Sequence, residues 1–179
     1  MPTDHDIIYA MKKNPEKGFN ILTAAYMEPV YWHIRRLVVT HDDAQDVLQE
    51  TFVRIFRAFD QYKPELSLKS WIFRIATNES LRFLDQRQRK KTLSLDEASE
   101  DIFNIKADEY VDYNDVMAIK LQQAVHALPL KQQLAFNLRY FDDLSYEEIA
   151  EITASEAANV KANYHIAKEK IVQYIKNHD

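Results

Sequence analysis

The stretch that decides the fold is LSYEEIAEITASEAANVKANYHIAKEKI, residues 144–171. Its apolar residues recur at helical spacing on both sides of a short polar break. Ser145 and Glu148 match a capping box at the start of the first helix. Ala150 is a small residue on which the second helix can pack, and Val160, ten positions later, would face back to the core. The pattern predicts a helix-turn-helix, although an ordinary antiparallel helix pair has the same spacing.

The turn between these two helices has no glycine. One residue of such a corner normally adopts the left-handed conformation, which glycine takes without a steric penalty. Ala154 occupies that position here. Because a left-handed alanine costs about 1 kcal/mol, we expect either a strained corner or a corner of different geometry.

If the second helix enters the major groove of DNA, the side chains near its N-terminus face the base edges. Asparagine can bind adenine through two hydrogen bonds, and alanine allows close approach or contact with thymine methyl groups. The helix carries few cations, so we expect it to bind DNA weakly unless a second reader or a large partner assists it. The candidate contacts are Glu156, Ala157, Asn159, Lys161 and Asn163, with His165 and Lys168 nearer the phosphate backbone.

A second helical region precedes this pair. The segment DDAQDVLQETFVRIFRAF, residues 42–59, has an apolar stripe that predicts a core-facing helix. Thr40 and Asp43 fit a capping box at its start. An N-cap is favoured over a metal site at His41, because the sequence has no second group of ligands at metal-binding spacing. The stripe consists of Leu48, Phe52, Ile55, Phe56 and Phe59.

The next segment, residues 63–91, starts with a proline-marked loop and continues as a helix with a basic side. We expect its buried side to contain Ile72, Ile75, Ala76 and Phe83. Two interpretations of the basic side remain equally open from spacing alone. Cations interleaved with aromatic rings suit single-stranded nucleic acid, but a helix C-terminus also favours cations on a merely solvated surface. The basic side consists of Arg74, Asn78, Arg82 and Arg89, with Arg87, Lys90 and Lys91 at the end and Trp71 at the start.

The charge of the chain is uneven. Residues 92–115 hold one Lys or Arg and eight Asp or Glu, whereas the whole chain has a net charge of −5. Such a block is typical of a solvated connector, although its apolar residues leave room for partial docking. After it, Pro129 separates two further helices. The first has a stripe of Met117, Leu121, Ala124, Val125 and Leu128, and the second contains Leu134, Leu138 and Phe141.

Composition limits the fold and the function. Apolar residues make up 46% of the chain, which is enough for a core, and the single glycine argues against a fold with many tight turns. We therefore expect an all-α protein. The absence of cysteine excludes disulfides, and the sequence shows neither a membrane span nor a signal peptide, so we expect a cytoplasmic location. No paired carboxylates, activated nucleophile or phosphate loop is visible, so we expect no enzyme, catalytic residue, metal or cofactor.

Four stretches in this order resemble the extracytoplasmic-function (ECF) sigma factors of bacterial RNA polymerase, a group within the sigma-70 family. The resemblance covers about residues 8–175, and the last stretch looks most like members from Bacteroidetes-type bacteria. The stretches are DDAQDVLQETFVRIFRAFDQY, LKSWIFRIATNESLRFLDQRQRK, ALPLKQQLAFNLRYFDDLSYEEIAEI and NVKANYHIAKEKI.

The resemblance implies two small helical domains joined by the acidic linker. Residues 1–91 would form a sigma region 2 domain, residues 92–113 the linker near the path of nascent RNA, and residues 114–179 a sigma region 4 domain. Three positions depart from the family, which commonly has arginine where this chain has Asn163 and Ile166, and glycine where it has Ala154.

The resemblance also implies the partners. The helix within residues 42–59 would bind the clamp helices of the largest polymerase subunit, and region 4 would contact the polymerase flap. The basic helix would recognise and melt the −10 promoter element, and the last helix would recognise the −35 element. An anti-sigma protein is the usual regulator. The implied polymerase contacts are Asp46, Gln49, Glu50, Arg54 and Arg57, and the implied −10 contacts are Trp71, Arg74, Asn78, Arg82, Arg87, Arg89 and Lys90.

Two other functions compete with a promoter-specificity subunit. One is a stand-alone helix-turn-helix regulator of duplex DNA, and the other is an interaction-only helical protein. The first domain separates them, because a regulator does not need a polymerase-binding helix joined to a strand-capturing helix.

Overall fold

The computed structural model describes residues 1–65, 67–91 and 116–178, and over these ranges its regular secondary structure is helical, as the sequence predicted. A short 3-10 turn, Phe59–Gln61, follows the third helix. The acidic linker lies outside the described residues. The helices are α1 (Asp4–Lys13), α2 (Pro15–Val38), α3 (His41–Ala58), α4 (Leu68–Lys91), α5 (Val116–His126), α6 (Leu130–Tyr140), α7 (Tyr146–Thr153) and α8 (Ala157–Asn177).

Helix α1 packs closely against α2. Thr3 and Asp6 form a capping box that starts α1, with hydrogen bonds of 3.0 and 3.1 Å. Gly18 of α2 lies directly against the α1 backbone at Met11, where a Cβ atom would overlap Met11. The single glycine of the chain therefore permits this helix contact.

Helix α2 ends in a tight turn at Val39, which has φ 79° and ψ −49°. The N–H of Thr40 bonds to the carbonyl of Val38 at 3.0 Å, which closes a γ-turn. The buried Arg35 donates from Nε to the Val39 carbonyl at 2.8 Å. Thr40 then caps α3 by accepting the N–H of Asp43 at 3.3 Å, which is one of the two hydrogen bonds of the predicted capping box.

Helix α3 buries a narrower stripe than the sequence predicted. Leu48, Phe52 and Ile55 are buried as expected, and so is Phe59 in the turn that follows. The prediction that Phe56 lies in the core is wrong, because its side chain is 46% exposed. It packs edge-on against Phe19 of α2, with ring centroids 5.0 Å apart, at the rim of a groove between α2 and α3.

Helix α4 is the central helix of the structure. It contacts α2, α3 and α7. Ile72 and Ala76 are buried as expected, while Ile75 and Phe83 are half-buried. Phe73 is fully buried, although it was not among the residues predicted for the core. Its burial follows from the packing of α4 against more than one neighbour.

The C-terminal helices form their own small core around α8. Val125 and Leu128 of α5 pack there with Ala167 and Ile171 of α8, as part of a common cluster. The prediction that Met117 belongs to the buried stripe of α5 is wrong, because Met117 lies outside this cluster and its side chain is 54% exposed.

The N-terminal and C-terminal helices pack directly on each other. Leu138 of α6 and Ile149 of α7 belong to the same core cluster as Ile72 of α4. Ala118 and Ile119 of α5 pack against Val39 at the end of α2. Helix α7 contacts both α4 and α8.

Candidate nucleic-acid and partner interfaces

The corner between α7 and α8 has the geometry of a helix-turn-helix. Ala154 is left-handed, with φ 51° and ψ 49°, which is one of the two alternatives that the sequence left open. Ser145 and Glu148 form the predicted capping box, with two reciprocal hydrogen bonds of 3.1 Å. Ala150 and Val160 are both buried at the junction of the two helices. The strained corner, rather than a different geometry, is the one adopted.

The side chains predicted to contact the −35 element occupy several sides of α8. Ala157 is half-buried against the core, and Glu156 is an exposed N-cap without a side-chain hydrogen bond. Asn159 and Asn163 line a cleft beside Lys131 of α6. The remaining predicted contacts are exposed and comprise Lys161, His165 and Lys168.

The side of α8 that points away from its buried residues includes three apolar side chains. Ala158, Ala162 and Ile166 are exposed at intervals of four residues, and Ile166 is 41% exposed. None of the three was among the predicted −35 contacts. Projecting the helical repeat from Val160 and Ala167 as core residues would have found them.

The predicted basic face of α4 is present. Arg74, Asn78 and Arg82 are exposed and follow one another at four-residue spacing, which places them on one side of the helix. Arg82 also lies 3.9 Å from Glu79, which is 7% exposed. The face is therefore open to solvent while the opposite sides of α4 are packed.

The other predicted −10 contacts have protein partners or lie at the end of α4. Arg87 Nη1 lies 3.3 Å from Asp43 Oδ2 of α3, and Arg89 Nη2 lies 3.3 Å from Asp85 Oδ2. Lys90 is exposed. Trp71 is half-buried and packs edge-on against Tyr62, with centroids 5.3 Å apart, and against Phe59. Trp71 thus packs at the base of α4.

The five predicted polymerase contacts of α3 divide between two faces. Asp46 and Glu50 line a cleft shared with α4. Arg54 joins that side, because its Nε lies 2.5 Å from Glu79 Oε1 of α4. Gln49 and Arg57 line the groove between α3 and α2.

This groove between α2 and α3 is a large concave surface, with a volume of about 1760 Å³. It carries exposed apolar side chains, since Met27 is 46%, Val53 41% and Phe56 46% exposed. Polar side chains at Gln49 and Arg57 border it. The sequence signal that was missed is the presence of Val53 on an otherwise charged exposed side of the helix. A contiguous apolar groove with polar edges is typical of a protein-binding surface.

Over the described ranges, no helix combines the length and the apolar character needed to cross a membrane. Within the same ranges, no group of three or more His, Asp or Glu side chains is arranged to hold a metal ion. His41 instead pairs through Nδ1 with the Tyr31 hydroxyl at 2.6 Å.

Family models match both halves of the chain. Residues 22–90 match Sigma-70 region 2, and residues 118–171 match Sigma-70, region 4, which together exceed half of the chain. An ECF RNA polymerase sigma-E factor from Haemophilus influenzae is 28% identical over 177 residues, covering 94% of this chain and 93% of the relative. The ECF RNA polymerase sigma-E factor of Escherichia coli K12 is 29% identical over 183 residues, covering 94% of this chain and 92% of that relative.

Two solved structures have the same fold. CnrH, in complex with the cytosolic domain of CnrY, gives a TM-score of 0.74 at 16% identity and covers 98% of this chain and 99% of its own. The sigma factor RpoE of Bartonella quintana, in complex with the anti-sigma factor NepR, gives a TM-score of 0.69 at 20% identity. The match covers 89% of this chain and 98% of the RpoE chain.

The fold and the matches define a promoter-specificity subunit of bacterial RNA polymerase, which is a transcription initiation factor. The chain belongs to the sigma-70 family, as an RNA polymerase sigma factor of the ECF type. The alternative of a stand-alone duplex-binding regulator is not favoured. The likeness to Bacteroidetes-type members stays a prediction.

Proposed function

We propose that this ECF sigma factor binds core polymerase through the groove between α2 and α3, melts the −10 element with the exposed face of α4, and recognises the −35 element with α8. The domains would then span residues 1–91 and 114–179, with residues 92–113 as their linker. The observation that carries the proposal is the presence, on the same half of the chain, of an open basic face on α4 and a separate apolar groove between α2 and α3.

The α4 face suits the capture of an unpaired strand. Arg74 and Arg82 can hold phosphates, and the Asn78 amide between them can donate to and accept from the edge of an unstacked base. Trp71 supports this face by packing against Tyr62, which fixes the start of α4. Each captured base contributes about 1–3 kcal/mol in comparable single-strand sites, which favours the open strand over the duplex.

The α2–α3 groove suits the apolar side of a partner helix. The apolar side chains that would contact this helix are Met27, Val53 and Phe56. Gln49 and Arg57, at the edge of the groove, would fix its position through polar contacts. The clamp helices of the largest polymerase subunit are the partner that the resemblance implies. Of the five predicted contacts, Gln49 and Arg57 are therefore the ones we assign to this surface.

Helix α8 would contribute specificity rather than strong affinity. Its exposed cations Lys161 and Lys168 can neutralise few phosphates, so few counterions are released on binding. Tethering to a polymerase that already holds the promoter raises its effective concentration. Recognition of the −35 element would therefore depend on the assembled holoenzyme.

Regulation and location follow from the same proposal. The sigma factor RpoE was solved with the anti-sigma factor NepR, which supports an anti-sigma protein as the regulator of this chain. We further expect the protein to act in the cytoplasm, to catalyse no reaction itself and to need no cofactor.

Transcription from purified components tests the proposal. Core polymerase, the full chain and a library of promoter fragments should give defined start sites with −10 and −35 elements upstream. Phe56→Asp should abolish association with core polymerase in size-exclusion chromatography, whereas Arg74→Ala should leave it intact and reduce strand opening. A chain that binds duplex DNA but never associates with core polymerase would contradict the proposal.

A further inference from the structure

The sulfur atoms of this protein all belong to methionines, because the sequence has no cysteine. The four methionines are Met1, Met11, Met27 and Met117. Met11 is 3% exposed on the side of α1 that packs against α2, whereas Met27 and Met117 are 46% and 54% exposed. An oxidant that attacks sulfur therefore reaches Met27 and Met117 from solvent, but reaches Met11 only when α1 opens locally.

Met27 lies well inside the groove between α2 and α3. The rings of Phe19 and Phe56 meet edge-on across the groove, with centroids 5.0 Å apart. Farther along α2, the Tyr31 hydroxyl lies 2.6 Å from His41 Nδ1 of α3. Met27 comes between Phe19 and Tyr31 on the α2 wall, so a partner seated in the groove would cover Met27 rather than leave it at the rim.

The thioether of Met27 suits an apolar contact. Met27 forms the exposed apolar part of the groove together with Val53 and Phe56, which are 41% and 46% exposed. Methionine is flexible and polarisable, so it adapts to the apolar side chains of a partner. A polar group at the same position would lack that adaptability and would have to give up its contact with water.

Hydrogen peroxide converts a thioether to a sulfoxide. A sulfur lone pair attacks one peroxide oxygen, and the S–O bond forms as the O–O bond breaks. The proton on the transferred oxygen moves to the departing hydroxide, which leaves as water. The sulfur is oxidised by two electrons and the peroxide is reduced. Sulfoxide reductases reverse the change, with one enzyme for each epimer.

We propose that Met27 is a site of reversible oxidation, at which the sulfoxide weakens association with core polymerase. The inference rests on the proposed function in assigning the α2–α3 groove to core polymerase. The sulfoxide oxygen is a strong hydrogen-bond acceptor that water satisfies in the free protein. When a partner covers the apolar part of the groove, that oxygen loses its water, so the modified chain binds less tightly.

Oxidation rates of the free protein test the site itself. The full chain is treated with hydrogen peroxide, and mass spectrometry of its peptides follows each methionine. Met27 and Met117 should be oxidised at least about tenfold faster than Met11, which reacts only after local opening. Oxidation of Met27 as slow as that of Met11 would overturn the inference.

Association with core polymerase tests the effect of the modification. Each protein is compared with itself before and after oxidation, so the basal affinity of a variant does not enter. Oxidation should weaken association of the unmodified chain at least about tenfold, as expected for an unsatisfied buried acceptor. Treatment with both sulfoxide reductases should restore it. A loss that the reductases do not reverse would overturn the inference.

Two leucine variants identify the methionine responsible. Met27→Leu should show no change in affinity on oxidation, although it keeps Met1 and Met117. Met117→Leu is the matched control, because Met117 is also exposed but lies on α5 and does not line the groove, so this variant should lose affinity as the unmodified chain does. If Met27→Leu loses as much affinity on oxidation as the unmodified chain, another side chain is responsible and the inference is wrong.

A variant that needs no oxidant provides an independent test. Met27→Gln places a polar side chain of similar length in the groove, and it should weaken association at least about tenfold while the helical circular dichroism stays unchanged. Full affinity in Met27→Gln would contradict the inference. The oxidation rates require neither polymerase nor DNA. A chain whose Met27 oxidises as expected but which never associates with core polymerase would therefore contradict the proposed function and leave Met27 as the oxidation site.

Discussion

Arg54 of α3 and Glu79 of α4 form an ion pair, with Nε and Oε1 2.5 Å apart, in which the carboxylate is 7% exposed and the guanidinium 41%. Glu50, one turn earlier on α3, lies 3.5 Å from the same Nε. The pair joins two helices that the proposed function uses for different tasks. Arg54 was predicted from the resemblance as a polymerase contact, and its position makes it a link between α3 and α4.

Arg54→Ala should therefore reduce stability more than polymerase binding. The substitution leaves Glu79 buried with Arg82 as a more distant partner at 3.9 Å, and we expect a loss of about 1–2 kcal/mol, since Arg54 is partly exposed. Urea denaturation followed by circular dichroism measures it.

Arg57→Ala is the matched control on the same helix. Arg57 is exposed at the edge of the α2–α3 groove, so its removal should change the free energy of unfolding by no more than about 0.5 kcal/mol and weaken association with core polymerase. The opposite pattern, with Arg54→Ala stable and Arg57→Ala unstable, would reverse the two assignments.

Strand opening should depend on the basic face of α4. Replacing Arg82 and Arg87 together with alanine should abolish open-complex formation and leave binding to core polymerase intact, because both cations lie on α4 and away from the α2–α3 groove. Permanganate reactivity of unpaired thymines at the −10 element measures opening, and size-exclusion chromatography measures binding.

Arg87 needs its own control because it pairs with Asp43 at 3.3 Å. Asp43→Asn weakens that pair and keeps the arginine. If Arg87 acts on DNA, Asp43→Asn should retain opening. If opening falls as far in Asp43→Asn as in the double variant, Arg87 acts by joining α3 to α4 and our assignment of it to DNA is wrong.

Local features of the fold could be predicted from the sequence. The caps at Thr40 and Ser145 and the left-handed Ala154 depend on residues within a few positions of each other. Such contacts are encoded by spacing, and the structure has them where the spacing put them.

Exposure at the edges of helices could not be predicted in the same way. Phe56 and Met117 fit the helical repeat of a buried stripe and are nevertheless exposed. Whether such a position is covered depends on how far the neighbouring helix extends and at what angle it packs. Those are properties of the assembled fold.

The candidate site could likewise be predicted only where its residues are close together in the sequence. Arg74 and Asn78 lie on an exposed face of α4, as the repeat indicated. The ion pair of Asp142 with His33 joins residues more than a hundred positions apart, and no local pattern in the sequence links them. Contacts of that kind follow from the packing of one half on the other.

Recognition of the −35 element by α8 should depend on the Asn163 amide and on the exposed Ile166 side chain. Asn163→Ala should weaken discrimination among −35 sequences by about 1–3 kcal/mol, the usual contribution of one base contact, and should affect −10 melting less. Binding of the holoenzyme to a series of promoter variants measures both effects.

Ile166 provides a separate test of the apolar side of α8. Its exposed side chain can contact a thymine methyl group, so replacing −35 thymines with uracil, which lacks only that methyl, should weaken binding of the unmodified chain. In Ile166→Ala the same replacement should have a smaller effect. Equal losses in the two proteins would exclude Ile166 as the methyl contact.

His126 should make the stability of the protein depend on pH. It lies at the C-terminal end of α5, and burial lowers its pKa to about 4. Its Nε2 is shielded from water and has no hydrogen-bond partner among the described residues. In the unfolded chain a histidine has a pKa of about 6.5, so between these values the unfolded state binds more protons than the folded state.

The free energy of unfolding should therefore fall as the pH falls below about 6.5, by about 1–2 kcal/mol at pH 5. Urea midpoints at pH 7 and pH 5 measure the change. His126→Leu places an apolar side chain at this position that cannot take up a proton. The urea midpoint of this variant should therefore change less between pH 7 and pH 5. If both proteins lose equal stability between pH 7 and pH 5, the proton is taken up elsewhere and His126 is already accessible to water in the folded state.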